Sequence, residues 1–413
     1  MYLQGILGLA VYLTIAWIFS EKRKKVRYTV AFTGVIVQFC IAGILFYVPV
    51  VTNIFLLLNN VVLALETATK AGTSFVFGYI GGGTPPFLLH NPGANFILAF
   101  QSLPLVLVIG ALSSLLYYWK ILPYVVRAFS LLLQKTLNIG GALGLGASTT
   151  IFLGMVEAPL LIKPYIRHMT RSEIFSLMSV GMACIAGTVM ILYSTILKGV
   201  IPNPVGHILM ASFIHVAAAV TIARIMVPET GEETSGGLVP QRTATSSMDA
   251  IFKGTMDGLH LHLNIIAMLV VMVALVYLAN TLIGLLPDVD GQPLTLQRLL
   301  GYVMAPVVWL FGIPWSQSQT AGNLMGTKTI LNELLAFIEL SKLPPEALDT
   351  RSRLIMTYAL SSFANFGSLG ILIGGIGSLA PERRDEIVEL GIKAIVAGTL
   401  ATCMTGAVIG ILA

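Results

Sequence analysis

The stretch Gly154-Met155-Val156-Glu157-Ala158-Pro159 decides the fold, because it interrupts an apolar segment with a glycine, an acid and a proline. A second stretch of this kind, Asn323-Leu324-Met325-Gly326-Thr327-Lys328, leads to Asn332-Glu333. Neither segment 140–165 nor segment 296–340 is a clean membrane span. Unwound backbone at membrane depth is tolerated only where protein or a water-filled cavity surrounds it. The two segments therefore predict re-entrant hairpins around a polar site.

The remaining composition is that of a membrane protein. Apolar residues make up 56% of the 413 residues and charged residues 10%, and the mean hydropathy is +0.87, far from ordinary globular usage. A span needs about 20 mostly apolar residues to cross roughly 30 Å of hydrocarbon. The net charge of +5 comes from short basic loops between apolar stretches. This placement indicates membrane orientation rather than binding of nucleic acid.

The basic loops orient the predicted spans, because Lys and Arg favour the cytoplasmic side. The first apolar stretch is followed by Lys22, Arg23 and Lys24, so it runs from outside to inside. Segment 52–83 is mixed in character and is predicted to lie at the interface. Eight crossings result, with both termini outside the cytoplasm. The spans are predicted at 7–19, 28–50, 103–119, 174–197, 205–225 and 263–286, with two more flanking the loop at 381–385.

A hairpin followed by two spans occurs twice, which is typical of the inverted repeats of secondary transporters. The predicted fold is an all-α integral membrane protein with about eight transmembrane helices, two re-entrant hairpins and interfacial helices. Residues 1–140 are expected to form a scaffold with three spans and an interfacial helix, and residues 141–228 the first transport repeat. Residues 229–296 would hold a cytoplasmic loop, an interfacial helix and a scaffold span, and residues 297–413 the second transport repeat.

Three polar residues stand in apolar surroundings within these repeats: Glu157, Glu333 and Asn365. An acid there costs about 2.5 to 3.5 kcal/mol on insertion scales, so it needs hydrogen-bond partners or a wet cavity, and function is the first interpretation. The alternative is an interhelical polar contact that only holds the bundle together. Both interpretations stay open for Asn365 in particular.

Other reactive residues do not assemble into a familiar site. The three cysteines have neither paired nor metal-type spacing, and His260 and His262 lack further ligands for a metal. The glycine runs lack the strand and helix context of a phosphate loop. A membrane-embedded enzyme with Glu157 and Glu333 as paired acids is an alternative, but no nucleophile and base stand at motif spacing. No catalytic residue and no cofactor are predicted.

Four motifs resemble the concentrative nucleoside transporter family, and they extend along the whole chain. Gly72-Thr73-Ser74-Phe75-Val76-Phe77-Gly78 resembles the interfacial helix of the family, and Glu157-Ala158-Pro159-Leu160-Leu161-Ile162-Lys163-Pro164 its first hairpin. Met325-Gly326-Thr327-Lys328 with Asn332-Glu333 resembles the second hairpin. The fourth motif resembles the last repeat of the family and consists of Phe363-Ala364-Asn365 with Gly375-Ile376-Gly377-Ser378-Leu379-Ala380-Pro381.

This resemblance implies a homotrimer whose protomers each hold a scaffold and a mobile transport domain, which alternates access by an elevator-like movement. Two hairpin tips and two broken helices would enclose one nucleoside. The resemblance implies that Glu333, Asn365 and Ser368 hold the ribose hydroxyls, and a carboxylate can indeed accept from both hydroxyls. Asn332 belongs to the same motif as Glu333, and Phe363 would line the cavity.

The base is expected at the first hairpin, against Met155, Val156 and Glu157. Many members of the family have Gly-Gln-Thr-Glu or Gly-Gln-Ser-Glu where this chain has Gly154-Met155-Val156-Glu157. Purine-preferring animal members resemble this chain in a Gly-Met pair there and a Thr-Val pair in the next span, where Thr188-Val189 stands. A Met side chain can contact a larger aromatic base. Adenosine, inosine and guanosine are thus the expected substrates. The alternative is that these residues differ by neutral sequence drift at a cavity wall, with no effect on substrate preference.

The coupling ion is H⁺ or Na⁺. Sodium-coupled members place an Asn four residues before the hairpin glycine and a Ser or Thr in the next span, where this chain has Thr150 and Cys184. A thiol is a poor ligand for a hard cation, although carbonyl groups near Leu153 and Ile185 could still form a Na⁺ site. Proton coupling is favoured, with Glu157 as the proton carrier.

The predicted protein is a multi-pass protein of the cell (inner) membrane, with nucleosides and lipid as partners. An uncoupled nucleoside facilitator remains an alternative, and so does a sodium-coupled symporter of another nucleoside-like solute. Accumulation above the external concentration would separate a coupled transporter from a facilitator.

Overall fold

A computed structural model describes residues 2–88, 96–155, 157–235, 244–289, 291 and 293–413, without the side chains at positions 45, 49–59, 62, 157, 160, 164, 188 and 268. Within these residues the chain forms eighteen α-helices and no β-strand, so the predicted all-α fold is confirmed. The helices are α1 (Tyr2–Ile18), α2 (Tyr28–Tyr47), α3 (Pro49–Phe77), α4 (Leu98–Gln101), α5 (Leu105–Tyr118), α6 (Ile121–Leu137), α7 (Gly141–Leu153), α8 (Glu157–Ile166), α9 (Arg171–Ala183), α10 (Gly187–Ile196), α11 (Pro204–Met226), α12 (Ser247–Ile283), α13 (Leu296–Trp309), α14 (Trp315–Ile330), α15 (Glu333–Lys342), α16 (Thr350–Leu360), α17 (Phe366–Leu379) and α18 (Arg384–Leu412).

One order of helices occurs twice. From α6 to α11 the chain forms one medium helix, two helices joined by a tight tip, two helices joined by a short break and one long helix. The same order runs from α13 to α18. The hairpins are α7 with α8 and α14 with α15, and the interrupted pairs are α9 with α10 and α16 with α17. The repeat of hairpin and spans read from the sequence therefore extends to a preceding helix, α6 or α13.

The helices differ in their ability to cross a bilayer. Among the described residues, four helical segments are long and apolar enough by themselves. These segments are Leu98–Tyr118, Pro204–Met226, Ser247–Ile283 and Pro381–Leu412. Shorter apolar helices are Tyr2–Ile18, Tyr28–Ile44, Gly141–Leu153 and Phe366–Leu379.

Two predicted spans have different bounds in the structure. The span predicted at 174–197 is not one helix, because the backbone leaves the helical conformation at Cys184 and resumes it at Gly187. The span predicted at 263–286 is the second half of α12, a continuous helix of 37 residues. At 1.5 Å per residue, α12 is about 55 Å long and therefore extends well beyond the hydrocarbon core on at least one side.

Burial separates the inner helices from the outer ones. In the most apolar part of α11, 89% of the residues are buried inside the protein, and in the last helical segment 78%, but in α12 only 6%. A helix that is apolar all round is buried in protein or lipid, so α11 and α18 form the centre and α12 the periphery. Small residues bring α12 against α5, since a Cβ added at Gly254 would lie 2.4 Å from the carbonyl oxygen of Gly110.

Charged side chains join three parts of the chain at one end of this bundle. Arg171, at the start of α9, lies 2.8 Å from Glu21 Oε1 and 2.7 Å from Glu389 Oε1. Lys393 of α18 contacts the same Glu21 oxygen at 2.6 Å. The hydrogen bond from Arg171 lowers the pKa of Glu21 from its ordinary value near 4.5 to about 2. This end carries the loop that the sequence predicts to be cytoplasmic.

Candidate functional site

Four helix amino termini meet at one cavity. They belong to α8 and α15, the second helices of the two hairpins, and to α10 and α17, the second helices of the two interrupted pairs. Residues at or next to these termini line the cavity: Met155 before α8, Ala186 before α10, Glu333 at the start of α15 and Asn365 before α17. The first N–H groups of a helix have no partner within it and carry partial positive charge. The cavity is therefore suited to a solute rich in hydroxyl and carbonyl oxygens.

Local sequence explains three of the four interruptions. Gly154 ends α7 at φ +102° and ψ −179°, a conformation that is essentially restricted to glycine. Asn332 precedes α15, and its side chain accepts a hydrogen bond from the Leu335 N–H at 3.0 Å. Asn365 precedes α17 and accepts from the Ser368 N–H at 2.8 Å. Asparagine is a preferred residue for capping a helix in this way.

The cavity has a volume of about 370 Å³, within the range of sites that enclose small ligands. Its walls come from both repeats and from α12. The lining residues are Gly154, Met155, Ala186, Val189, Leu192, Tyr193, Asp257, His260, Leu261, Asn264, Ile265, Met272, Leu331, Asn332, Glu333, Leu334, Phe363, Asn365, Gly367, Ser368 and Ile371.

The carboxylate of Glu333 is the centre of a buried hydrogen-bond network. Its Oε1 accepts from the Tyr193 hydroxyl at 2.6 Å, and its Oε2 accepts from Asn365 Nδ2 at 2.9 Å. The same Asn365 amide caps α17 through its oxygen, so its NH₂ group is held toward Glu333. A carboxylate offers about four acceptor positions. After the bonds from Tyr193 and Asn365, about two positions remain for a ligand.

Most of the predicted binding residues lie together at this cavity. Those with side chains in its wall are Met155, Val189, Asn332, Glu333, Phe363, Asn365 and Ser368. Val156 lies outside the described residues. Glu157 begins α8 and Thr188 is the second residue of α10, so both backbones are near the cavity, but their side chains are not described.

The wall formed by α12 was missed by the sequence interpretation. Asp257, His260 and Asn264 are spaced three and four residues apart, which places them on one face of a helix, and all three line the cavity. The signal available in the sequence was this row of polar residues leading into a long apolar stretch. Tyr193 was missed as well, because nothing in the sequence links it to Glu333, 140 residues away.

The predicted coupling-ion residues lie at the carboxyl ends of α7 and α9. The Thr150 hydroxyl donates to the Gly146 carbonyl at 2.9 Å, and Cys184 Sγ lies 3.6 Å from the Ser212 carbonyl oxygen. Leu153 is the last residue of α7, and Ile185 lies in the break after α9. The Thr150 hydroxyl keeps lone pairs that could face a cation, whereas the Cys184 thiol is a poor ligand for a hard cation. The carbonyl groups near Leu153 and Ile185 are the other candidate ligands. Among the described residues, His, Cys, Asp and Glu form no cluster of three that could hold a metal ion.

The hairpin tip and the break are in direct contact in the first repeat. A Cβ added at Gly187 would lie only 2.6 Å from the carbonyl oxygen of Phe152. This close approach brings the last turn of α7 against the first turn of α10. The tip of the first hairpin and the break between α9 and α10 are thus packed together.

A buried lysine occupies the corresponding region of the second repeat. Lys328, two residues before the end of α14, is fully buried. Its Nζ donates to the Ala359 carbonyl at 2.9 Å and lies 3.4 Å from the Thr402 hydroxyl. Ala359 stands in the last turn of α16, where carbonyl groups lack helical partners.

Family models match three regions of this chain. Residues 7–80 match "Na+ dependent nucleoside transporter N-terminus", residues 99–199 match "Nucleoside recognition", and residues 207–410 match "Na+ dependent nucleoside transporter C-terminus". The matches include both hairpins and both interrupted pairs.

Similar proteins cover the same full length. "Nucleoside permease NupC" of Helicobacter pylori is 33% identical over 413 residues, with 98% of this chain and 97% of the relative aligned. The solved structure of "CNTnw in an inward-facing substrate-bound state" has a TM-score of 0.90 and 33% identity, and covers 99% of this chain and 98% of that chain. A CNTnw variant in an outward-facing state has a TM-score of 0.89 and 32% identity, over 99% and 97% of the two chains.

Proposed function

Since this chain belongs to the concentrative nucleoside transporter family, we propose that it imports purine nucleosides by cation-coupled symport. It is a nucleoside transporter of the membrane and not an enzyme. The observation that carries the proposal is the cavity lined by residues at four helix amino termini, with the Glu333 carboxylate held in its wall by Tyr193 and Asn365.

The ribose is proposed to bind at Glu333. The two acceptor positions left on its carboxylate match the 2′ and 3′ hydroxyls of one ribose, and Ser368 adds a hydroxyl in the same wall. A site built around such bonds rejects a sugar that lacks them, because its own buried polar groups would then lose their partners. Asn365 keeps the carboxylate in place through its cap on α17.

The base is proposed to lie toward the first hairpin. Met155 and Val189 are 7% and 3% exposed and supply an apolar wall there. A flexible thioether can follow the shape of a large aromatic ring. This wall supports a preference for purine over pyrimidine nucleosides, and the adjoining Glu157, Val156 and Thr188 complete the proposed base site.

Transport is proposed to proceed by an elevator-like movement of residues 141–228 and 297–413 against a scaffold of residues 1–140 and 229–296. One contact between these parts is polar, since the Thr195 hydroxyl of α10 donates to Glu66 of α3. A polar contact can break and re-form in a movement more readily than an apolar one can be exposed to water. CNTnw has been solved in inward-facing and outward-facing states, which supports the same alternation here.

The transporter is proposed to be a homotrimer with both termini outside the cytoplasm.

The coupling cation is proposed to be a proton, carried by Glu157. Cys184 supports this choice, because a thiol is a poor ligand for a hard cation and its Sγ lies beside the Ser212 carbonyl oxygen. Sodium is the second candidate. It is favoured by the matched family descriptions, which are of Na⁺ dependent transporters, and the carbonyl groups near Leu153 and Ile185 would be its ligands.

Uptake into proteoliposomes tests substrate and coupling together. Radiolabelled adenosine and uridine are supplied under a proton gradient, a sodium gradient or no gradient. Accumulation of adenosine above the external concentration, driven by protons alone, is the expected result. Accumulation driven by sodium would replace the proton assignment, and equal transport of uridine would remove the purine preference. Uptake of neither nucleoside would overturn the substrate class, and uptake that only equilibrates would indicate a facilitator.

A further inference from the structure

The second repeat contains a cation of its own at the place where the first repeat has its predicted coupling-ion site. In the first repeat, the candidate ligands lie at the carboxyl ends of α7 and α9. Their equivalents in helix order are the carboxyl ends of α14 and α16. Lys328 stands near the end of α14, and its Nζ reaches the last turn of α16 at the Ala359 carbonyl, 2.9 Å away.

The contacts of Lys328 are those of a bound cation. Carbonyl groups at a helix carboxyl end carry partial negative charge and favour a positive group. The Thr402 hydroxyl donates its own proton to the Thr399 carbonyl at 2.9 Å, so a lone pair faces Lys328 Nζ at 3.4 Å. An ammonium group has three donors and no acceptor. Carbonyl and hydroxyl oxygens around a fully buried positive charge are also the surroundings of a small alkali cation.

The two sites also correspond in the long helix that lies beside each of them. Thr402 lies on α18, and the equivalent long helix of the first repeat is α11, whose Ser212 carbonyl lies beside Cys184. Each site is thus enclosed by the end of a hairpin helix, the end of a broken helix and one long helix. The first repeat has no basic side chain at the corresponding end of α7, whose sequence is Gly141-Ala142-Leu143-Gly144-Leu145-Gly146-Ala147-Ser148-Thr149-Thr150-Ile151-Phe152-Leu153.

We propose that the Lys328 ammonium group is a tethered cation that permanently fills, in the second repeat, the position equivalent to the coupling-ion site of the first repeat. The second repeat consequently offers no position for a mobile ion, and only the first repeat can exchange its cation with solvent. The equivalence rests on the coupling site of the proposed function, whereas occupation of the second position by Lys328 is tested by itself.

The proposal is tested by removing the Lys328 ammonium group in the purified protein. Lys328→Ala removes the ammonium and leaves space at the carbonyl groups, and Lys328→Met is the matched control because its side chain fills that space without charge. Thermal unfolding is measured in detergent with 100 mM, roughly physiological ionic strength, of ammonium, sodium or choline chloride. Choline is too large for the vacated space and controls for ionic strength.

Lys328→Ala is expected to gain about 2 to 4 °C more stability from ammonium or sodium, each compared with choline, than the wild type or Lys328→Met gains. A cation effect at the first repeat would appear equally in the wild type and both variants, so failure of the proposed coupling site is distinguishable from failure of this inference. A shift in Lys328→Ala no larger than the shift in the wild type or in Lys328→Met would overturn the proposal, as would a Lys328→Ala protein that no cation stabilises.

The variant can also be too unstable to purify in choline. Its yield of folded protein is then compared between purification in ammonium chloride and in choline chloride. Recovery in ammonium would support the tethered cation, because a free ammonium ion replaces the missing group. No recovery in any small cation would overturn it.

Discussion

The Glu333 side chain shows how one carboxylate can be prepared for a sugar before the sugar arrives. Two neighbouring groups, the Tyr193 hydroxyl and the Asn365 amide, each donate to a different oxygen. These donors hold the carboxylate in a single orientation and still leave acceptor positions free. A preorganised side chain of this kind loses less conformational entropy when a ligand binds.

Removal of the Glu333 charge is expected to abolish transport. In Glu333→Gln, one carboxylate oxygen is replaced by an NH₂ group, so the side chain can no longer accept hydrogen bonds from both ribose hydroxyls through two oxygens. Hydrogen bonds to charged groups contribute about 1.5 to 3 kcal/mol each. Adenosine uptake at subsaturating concentration is expected to fall by at least about 100-fold. The measurement is initial uptake in proteoliposomes with a matched amount of inserted protein.

Glu339→Gln is the control for this change. Glu339 stands on the same helix, α15, but accepts from Thr327 at 2.9 Å and does not line the cavity. Uptake by this variant is expected to stay near that of the wild type. Wild-type uptake by Glu333→Gln itself would remove Glu333 from the binding site.

Tyr193 is expected to act through Glu333. Tyr193→Phe keeps the buried ring but removes the donor to Glu333 Oε1, so the carboxylate is free to rotate away from the ribose. An increase in KM for adenosine of about tenfold is expected from the loss of one bond to a charged group. The preference for adenosine over 2′-deoxyadenosine should weaken at the same time.

Tyr12→Phe controls for the loss of a buried hydroxyl. Tyr12 is as buried as Tyr193, and its hydroxyl donates to the Val307 carbonyl at 2.7 Å, away from the cavity. Competition of both nucleosides for labelled adenosine uptake measures the preference. If Tyr193→Phe and Tyr12→Phe have the same preference as the wild type, Tyr193 is only a packing residue.

At the scale of elements, the interrupted helices matter more than the continuous ones. Each interruption creates a helix amino terminus at the cavity and a helix carboxyl terminus nearby, which are complementary in charge. Sequence reasoning located the two hairpins, because Gly154 and Asn332 stand at their tips. It did not locate the break at Cys184, since no proline or capping side chain marks that position.

The tip of the first hairpin is expected to depend on glycine at position 154. Gly154→Ala places a Cβ on backbone at φ +102°, which costs about 1 to 3 kcal/mol. Thermal unfolding of the purified protein should show this loss, together with reduced adenosine uptake. Gly370→Ala in α17 is the control, because its added Cβ meets nothing within 4 Å and alanine favours a helix. An unchanged Gly154→Ala protein would contradict this reading of the tip.

For the molecule as a whole, one end of the bundle is joined by charge and its centre by apolar packing. Glu21, between α1 and α2, contacts Arg171 of α9 and Lys393 of α18. These residues come from regions that are distant in the chain. Ion pairs of this kind respond to pH and salt, whereas the buried α11 does not.

Stability is expected to depend on Glu21 in a pH-dependent manner. Folding lowers the pKa of Glu21 from near 4.5 to about 2 through its bond with Arg171. Its contribution is therefore complete above pH 4.5 and is lost as the pH falls toward 2. Wild-type protein should unfold at a higher temperature than Glu21→Gln at neutral pH, and this difference should shrink as the pH falls below 4.5.

Thermal unfolding in detergent across this pH range measures the difference. The exposed Glu382 provides a control variant, Glu382→Gln, which should differ little from the wild type at any pH. A difference between wild type and Glu21→Gln that stays constant from neutral to acidic pH would show that the carboxylate charge of Glu21 does not matter to stability.

The sequence by itself determined the class of fold, the two hairpins, the family and seven of the 21 described residues that line the cavity, because each depends on composition or on local motifs such as Gly154, Asn332 and Asn365. Only the tertiary structure decided that Tyr193 meets Glu333, that α12 forms one wall and that Lys328 reaches Ala359. Each of these contacts joins residues that are distant in the chain or on separate helices. Their geometry follows from how whole helices pack, and no local pattern of residues specifies that packing.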